Sequence, residues 1–397
     1  MFSSTCTLRR QCARYLSTRA KRRLETSLLA ELRRTHPKQL AAFSDSIEQQ
    51  RKLICDKYAA IATDRLRIVE QLERAVCHDS TLVPVGSFGS GLLSPSSDVD
   101  LCLLLNESRP NRRAEFERRF FEVAFRRKFM AEVFGLIRRS KTLGHLIDWT
   151  KSQAIPHARV PVISLVFKSG LCMDIQFGNE KSIRNTNLVK HYVMADERFG
   201  QLNMWAQQWL TALKAKNSLT GKLSSYHITM LVIHFLQCES ALANPILPVL
   251  ARTHADLVGA NLSLDDVLVS VLDRSESPAD LNWTSKCKLR VGELAVQLVD
   301  YYSHVDLQLM AFFIDKGVCE QRPNQSIGGT GRLHIVDPYE RDSVCRGPST
   351  LEAFQYALRL TAMAFSAGHM LVYPLTEKHV MAAQGVARNN AAKKFLA

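Results

Sequence analysis

The stretch from Val85 to Leu105 reads Val-Gly-Ser-Phe-Gly-Ser-Gly-Leu-Leu-Ser-Pro-Ser-Ser-Asp-Val-Asp-Leu-Cys-Leu-Leu-Leu, and it constrains the fold more than any other part of the chain. Val99 to Leu105 is short, apolar and bounded by turn residues, which reads as a buried strand. Alternate side chains on a strand share a face, so Asp98 and Asp100 project together from its beginning. Two like charges so close are costly unless neutralised, and a hard divalent cation with oxygen ligands neutralises them. Just upstream, Gly86, Gly89 and Gly91 permit backbone conformations that a Cβ forbids. They let main-chain N–H groups and the Ser87 and Ser90 hydroxyls approach an anionic ligand such as a phosphate.

Two metal ions that bridge an attacking and a leaving oxygen need more than two carboxylate ligands. Asp174 is the best-placed third. It interrupts the apolar run Leu171 to Phe177, which follows Val162 to Phe167 across Lys168-Ser169-Gly170, the signature of a β-hairpin. An unpaired carboxylate inside such a strand is expensive. Taken singly, a Gly-Ser turn is usually a surface loop and an Asp-Val-Asp a solvated strand end. Together, Gly86-Ser87, Asp98-Val99-Asp100 and Asp174 resemble the active site of the DNA polymerase β-like nucleotidyltransferases.

With 397 residues, 46% of them hydrophobic, the chain can bury one large core or two moderate ones, and two domains are the natural expectation. A net charge of +14 implies an anionic macromolecular partner. Nucleic acid ranks ahead of membrane, because no long apolar span or amphipathic membrane helix is evident. The ten cysteines form no Cys-x-x-Cys pair, so neither a zinc site nor a disulfide framework is supported.

Residues 1–23 carry Arg9, Arg10, Arg14, Arg19, Lys21, Arg22 and Arg23 and no acid, the composition of a mitochondrial presequence. The competing readings are a basic disordered arm that contacts RNA and a cytoplasmic protein. Residues 24–185 are expected to form a palm of mixed sheet with leading and flanking helices, since Leu28, Leu32, Leu40, Phe43 and Ile47 recur at helical spacing. Residues 109–141 are rich in arginine. Such runs are usually a solvated helix face, with an RNA-facing surface as the sharper alternative. Residues 186–385 read as mostly helical, with a short tail at 386–397. The fold class is therefore α+β, a palm beside a helical domain with a cleft between them.

Three further blocks extend the resemblance to the noncanonical poly(A) polymerases and terminal uridylyltransferases. Gly221-Lys222-Leu223-Ser224-Ser225-Tyr226 precedes the apolar helix His227 to Gln237, so Ser224 or Ser225 can cap it. Taken alone, the serines are ordinary caps and Tyr226 a core residue. The resemblance implies that Ser225 holds the triphosphate and Tyr226 stacks on the base. Arg184-Asn185-Thr186 is similar to an element that places Asn185 and Thr186 beside ribose and base. Asp337-Pro338-Tyr339-Glu340, by residues alone a turn initiator, resembles the poly(A)-polymerase-associated signature, with Asp337 and Glu340 facing the incoming base.

The resemblance implies template-independent addition of AMP from ATP to an RNA 3′ end, with Asp98, Asp100 and Asp174 as catalytic and metal-binding residues for Mg²⁺ or Mn²⁺. Gly86 and Ser87 would cradle the triphosphate. Two positions depart from the family. Gln207 stands where a phosphate-binding lysine is usual, leaving Lys214 or Lys216 as substitutes. Asp342 and Ser343 stand where uridine-selective relatives carry histidine, which favours ATP. A recruiting RNA-binding protein is an expected partner, and no membrane is. A terminal uridylyltransferase and a catalytically weak RNA-binding scaffold are the alternatives.

Overall fold

A computed structural model describes residues 27–395, apart from 77–78, 93, 95–96, 109, 274–280, 323–330 and 341. The basic segment expected at 1–23 lies outside the described residues. In chain order the elements are α1 (Leu28–Thr35), α2 (Pro37–Val76), β1 (Ser80–Val85), α3 (Gly86–Ser90), β2 (Val99–Leu105), α4 (Arg112–Phe120) and α5 (Val123–Arg139). Then come β3 (Gln153–Ile155), β4 (Val162–Val166), β5 (Cys172–Phe177), α6 (Glu180–Ala195), α7 (Glu197–Ala212) and α8 (Ser225–Gln237). After two single-turn helices follow α9 (Leu264–Leu272), α10 (Val291–His304), β6 (Met310–Phe313), β7 (Val318–Gln321), β8 (Ile335–Val336), α11 (Thr350–Ser366) and α12 (Glu377–Phe395).

The chain divides into two units, one of residues 52–195 with 253–282, the other of 1–51, 196–252 and 283–397. The first is the palm. Its five-stranded mixed sheet has the order β1-β2-β5-β4-β3, with β2 and β5 parallel and the other neighbours antiparallel. Strand β1 tolerates Pro84 because it lies at the sheet edge, where a missing N–H breaks no ladder. Strand β2 is covered on both faces, which explains its continuous apolar sequence. Val99, Leu101 and Leu103 join Met173, Ile175 and Phe177 against Phe116, Phe120, Met130, Val133 and Ile137 of α4 and α5. On the other face Cys102 and Leu104 join Val83, Val85, Ile183, Val267 and Val271.

Four features of the expected division change. No division falls at 185, because Glu180–Ala195 is one continuous helix, and this helix belongs to the palm. Residues 253–282 also belong there: Asn187 donates to the Leu257 carbonyl, and the Ser270 hydroxyl donates to Asn187. The leading residues up to 51 belong to the other unit. The segment expected as a tail from 386 continues α12 to Phe395, in keeping with its alanine content.

The second unit is mostly helical. Trp205 and Trp209 of α7 stack with ring centroids 4.9 Å apart, and Trp209 Nε1 donates to Thr361 Oγ1 at 2.8 Å. A three-stranded sheet, β7-β6-β8, pairs β6 parallel to β8 and leads directly into Asp337. Among the described residues no helix is long and apolar enough to cross a membrane.

Candidate active site

The parallel register of β2 and β5 sets Asp100 directly opposite Asp174. Both occupy the sheet face that carries Cys102 and Gln176, and Asp98 precedes Asp100 by two residues with its side chain exposed. The hairpin places Ser164 opposite Asp174, and the Ser164 hydroxyl donates to that carboxylate. Ser164 was not singled out from sequence, although the register of a hairpin closed around Gly170 contains the signal.

Burial is the largest influence on Asp100, followed by the charges of Asp174 and Asp98, and together they push its carboxyl up to about 6. Burial also raises Asp174, opposed by the Ser164 hydrogen bond and reinforced by Asp98. Among the described residues no three His, Cys, Asp or Glu side chains form a ready-made cage for a metal ion. The donor set itself suits a hard divalent cation: three carboxylates, two of them raised by burial and by negative neighbours that a cation would offset.

The Gly-Ser turn is a single helical turn, Gly86–Ser90, ended by Gly91 in the left-handed conformation. Gly86 has φ +65°, and a Cβ there would lie 2.7 Å from Asp100 Oδ2. The absence of a side chain is what lets the loop reach the carboxylate. Ser87 is half-buried, whereas Ser90 is buried, so only the former hydroxyl remains open to a ligand.

Thr186 comes to this loop. It is buried; its Oγ1 accepts from Gly86 N at 2.9 Å and donates to the Ser182 carbonyl at 2.6 Å. Thr186 is a latch that positions the loop, its hydroxyl accepting from one protein group and donating to another. Thr186→Val removes the acceptor and leaves the Gly86 N–H unmet, at about 1–2 kcal/mol of stability. Nucleotide transfer by the variant should fall roughly tenfold as the loop loosens. Thr186→Ser should restore both the melting temperature and the rate; a valine variant as active as wild type would rule out the latch. Asn185 differs from Thr186, because its buried Oδ1 has no hydrogen-bond partner among the described residues.

Residues 38–194 match the family model described as poly(A) RNA polymerase, mitochondrial-like, central palm domain. Over these residues the chain is similar to the palm of the mitochondrial-like poly(A) RNA polymerases. It is 26% identical over 269 residues to poly(A) RNA polymerase GLD2 of Danio rerio, an alignment covering 66% of this chain and 48% of that relative. With GLD2 of Homo sapiens it shares 26% identity over 282 residues, 69% of this chain and 53% of the relative. The chain spans about half the length of the curated relatives it matches.

Solved structures share the fold. A GLD-2/RNP-8 complex matches with TM-score 0.66 at 19% identity, covering 86% of this chain and 98% of the other. Apo mtPAP matches with TM-score 0.60 at 19% identity, covering 83% and 71%. The Cid1 poly(U) polymerase bound to 3′-dATP matches with TM-score 0.59 at 22% identity, covering 87% and 98%.

The helical unit holds the remaining residues that the family resemblance singled out. Ser224, not Ser225, caps α8: its Oγ accepts from His227 N, and the His227 ring accepts from Ser224 N. Ser225 begins the helix with its side chain exposed. Tyr226 donates its hydroxyl to Asp337 Oδ2 at 2.8 Å, while Asp337 Oδ1 accepts from the N–H groups of Tyr339 and Glu340. Asp337 is fully buried, and burial raises its carboxyl against the pull of these donors. Its side chain binds the turn and Tyr226, and so fixes the tyrosine. Glu340 is half-buried and lies 3.8 Å from Arg346.

Gln207 donates from Nε2 to the Ser225 carbonyl at 2.9 Å, bracing the start of α8 with a neutral group. Of the two substitute lysines, Lys214 is exposed and Lys216 half-buried, its pKa lowered by burial. Ser343 is buried, donating to the Leu333 carbonyl and accepting from Ile335 N. It therefore cannot read a base, and Asp342 alone remains exposed at that position.

Proposed function

We propose that this chain is a template-independent RNA 3′-terminal nucleotidyltransferase that transfers AMP from ATP, a poly(A) polymerase. The observation that carries the proposal is the facing pair Asp100 and Asp174, with Asp98 beside it, next to a loop whose Gly86 approaches the carboxylate without a Cβ. Asp98, Asp100 and Asp174 would hold Mg²⁺ or Mn²⁺, which when bound supplies charge neutralisation at the triphosphate and the attacking 3′-hydroxyl. Gly86 and Ser87 take the phosphates, Thr186 holds that loop in place, and Asn185 offers Oδ1 to a ribose hydroxyl. In the helical unit Ser225 presents an exposed hydroxyl at the start of α8, a position suited to phosphate. Tyr226, anchored by Asp337, presents its ring to a base, and Glu340 is assigned to the same turn. Lys216 is the better candidate for the missing phosphate lysine, since it is the more buried of the two.

An extension assay with Mg²⁺, a labelled RNA and each NTP in turn tests the proposal. A ladder with ATP alone is expected. A ladder with UTP would make the chain a uridylyltransferase and overturn the reading at Asp342. No ladder with any NTP, together with no Mg²⁺-dependent NTP binding, would favour the RNA-binding scaffold, a reading that the neutral Gln207 supports.

The proposal includes a partner protein, as for the GLD-2 relative solved in a complex. High processivity of the purified chain on arbitrary RNA would count against such recruitment. It also includes a mitochondrial address, supported by the cationic, acid-free segment 1–23. That segment fused to a fluorescent protein should carry it into mitochondria; diffuse fluorescence would favour the cytoplasmic alternative.

A further inference from the structure

The arginine-rich run of residues 109–141 contains two kinds of cation. On α4, Arg112 is ion-paired with Asp79, and Arg113 with Asp265 and Glu107. Both also donate to main-chain carbonyls, of Asn106 and Leu105 respectively. Arg126 similarly donates to the Phe120 carbonyl. These cations hold the palm together.

The outer face of α5 is different. Met130, Val133 and Ile137 point into the core. At about 100° per residue the side of the helix away from the core carries Lys128, Arg138 and Arg139 with Glu132 among them, interspersed with Ala124, Ala131 and Gly135, and Arg127 lies at its flank. All four cations are exposed. Among the described residues none of them pairs with a carboxylate. Arg127 hydrogen-bonds Nε2 of His157, and Arg138 lies over the Trp149 ring, contacts that involve no carboxylate. At the turn into the helix Arg118 is exposed, and Phe121 is 83% exposed.

Opposite charges four residues apart support a solvated helix, as Lys128 and Glu132 do here, but Arg127, Arg138 and Arg139 outnumber that single acid and await an outside counter-charge. The small residues between the cations let a polyanion approach the helix closely. An exposed aromatic ring at one end suits a stacked base. We infer that the outer face of α5 binds the body of a single-stranded RNA, away from the 3′ end that reacts. Strand parity supports the separation, because α5 packs on the face of β2 and β5 that bears Leu101 and Ile175, opposite the face of Asp100 and Asp174. From Arg127 to Arg139 the cations extend over about 18 Å of helix. The inference rests on the proposed RNA chemistry for the identity of its ligand, but RNA retention on α5 does not require catalysis.

The test uses the full chain and the triple variant Lys128→Gln/Arg138→Gln/Arg139→Gln, whose exposed positions should leave the melting temperature unchanged. Binding of a fluorescent single-stranded RNA is followed by anisotropy across a salt series. Loss of three phosphate contacts should make the plot of log affinity against log salt shallower by about 2, at about 0.7 per contact for single strands. Extension of a long RNA at limiting concentration should fall roughly tenfold, while extension of a very short RNA stays at the wild-type rate. Phe121→Ala should weaken binding without changing the salt slope.

An unchanged affinity and slope in the triple variant would overturn the inference. So would unchanged RNA binding with lost affinity for anionic lipid vesicles, which would assign the face to a membrane surface. If the wild-type chain extends no RNA at all, the enzymatic proposal fails, and the binding comparison still decides the role of α5.

Discussion

Asp100→Asn should lose nucleotidyl transfer by at least about 10³-fold, because the substitution removes one of the three carboxylates on which charge neutralisation depends. The same variant should be more stable than wild type in metal-free buffer at neutral pH. The folded carboxyl titrates at about 6 instead of 3.8, owing to burial and to Asp174 and Asp98. A carboxyl raised in the folded state favours folding only while protonated, so its contribution is full below the unfolded value and is lost as pH rises towards 6. Above that, ionised Asp100 costs roughly 3 kcal/mol at most, a penalty that neutral asparagine avoids. Thermal melts with chelator at pH 7.5 and pH 4 should therefore show a gain that disappears at the lower pH. A loss of activity accompanied by a fall in melting temperature would mean that Asp100 serves the fold, not the chemistry.

Gly86→Ala should have the second largest effect. The residue sits at φ +65°, where an L side chain costs about 1–2 kcal/mol. The added Cβ would also stand 2.7 Å from Asp100 Oδ2 and force the carboxylate or the loop to move. A displacement of that order at a reacting centre should reduce turnover on the order of 10²-fold. Gly170→Ala provides the control. Gly170 has φ +89° in the β4–β5 turn, and a Cβ there meets nothing within 4 Å. The two variants should melt at similarly lowered temperatures, yet only Gly86→Ala should lose activity. Equal activity in both would remove Gly86 from the site.

The residues that carry the strongest reading are those whose signals are local. Val99–Leu105 forms the expected strand, and the Lys168-Ser169-Gly170 turn closes the expected hairpin. A strand's alternation and a hairpin's register reach only a few residues along the chain, so composition and spacing place Asp98 and Asp100 at one strand and Asp174 on another, while their meeting across β2 and β5 is tertiary. Thr186 and Asp337 were also visible as part of motifs, but their roles were not. The partners that occupy them, Gly86 and Tyr226, are a hundred residues or more away. The division between units failed to show for the same reason: residues 253–282 return to the palm through Asn187 and Lys190, and no local propensity records such a return. The arginine run is the clearest case. Its composition is uniform, and only the tertiary partners Asp79, Glu107 and Asp265 distinguish the structural arginines of α4 from the unpaired cations of α5.

The sequence by itself determined the strands and turns that carry Gly86, Asp98, Asp100 and Asp174, because glycine freedom and strand periodicity act over neighbouring residues. Only the tertiary structure decided which polar groups remain open to a ligand. Hydrogen-bonding capacity is finite, and whether a hydroxyl, a carboxylate or a guanidinium is already committed depends on what distant segments bring to it.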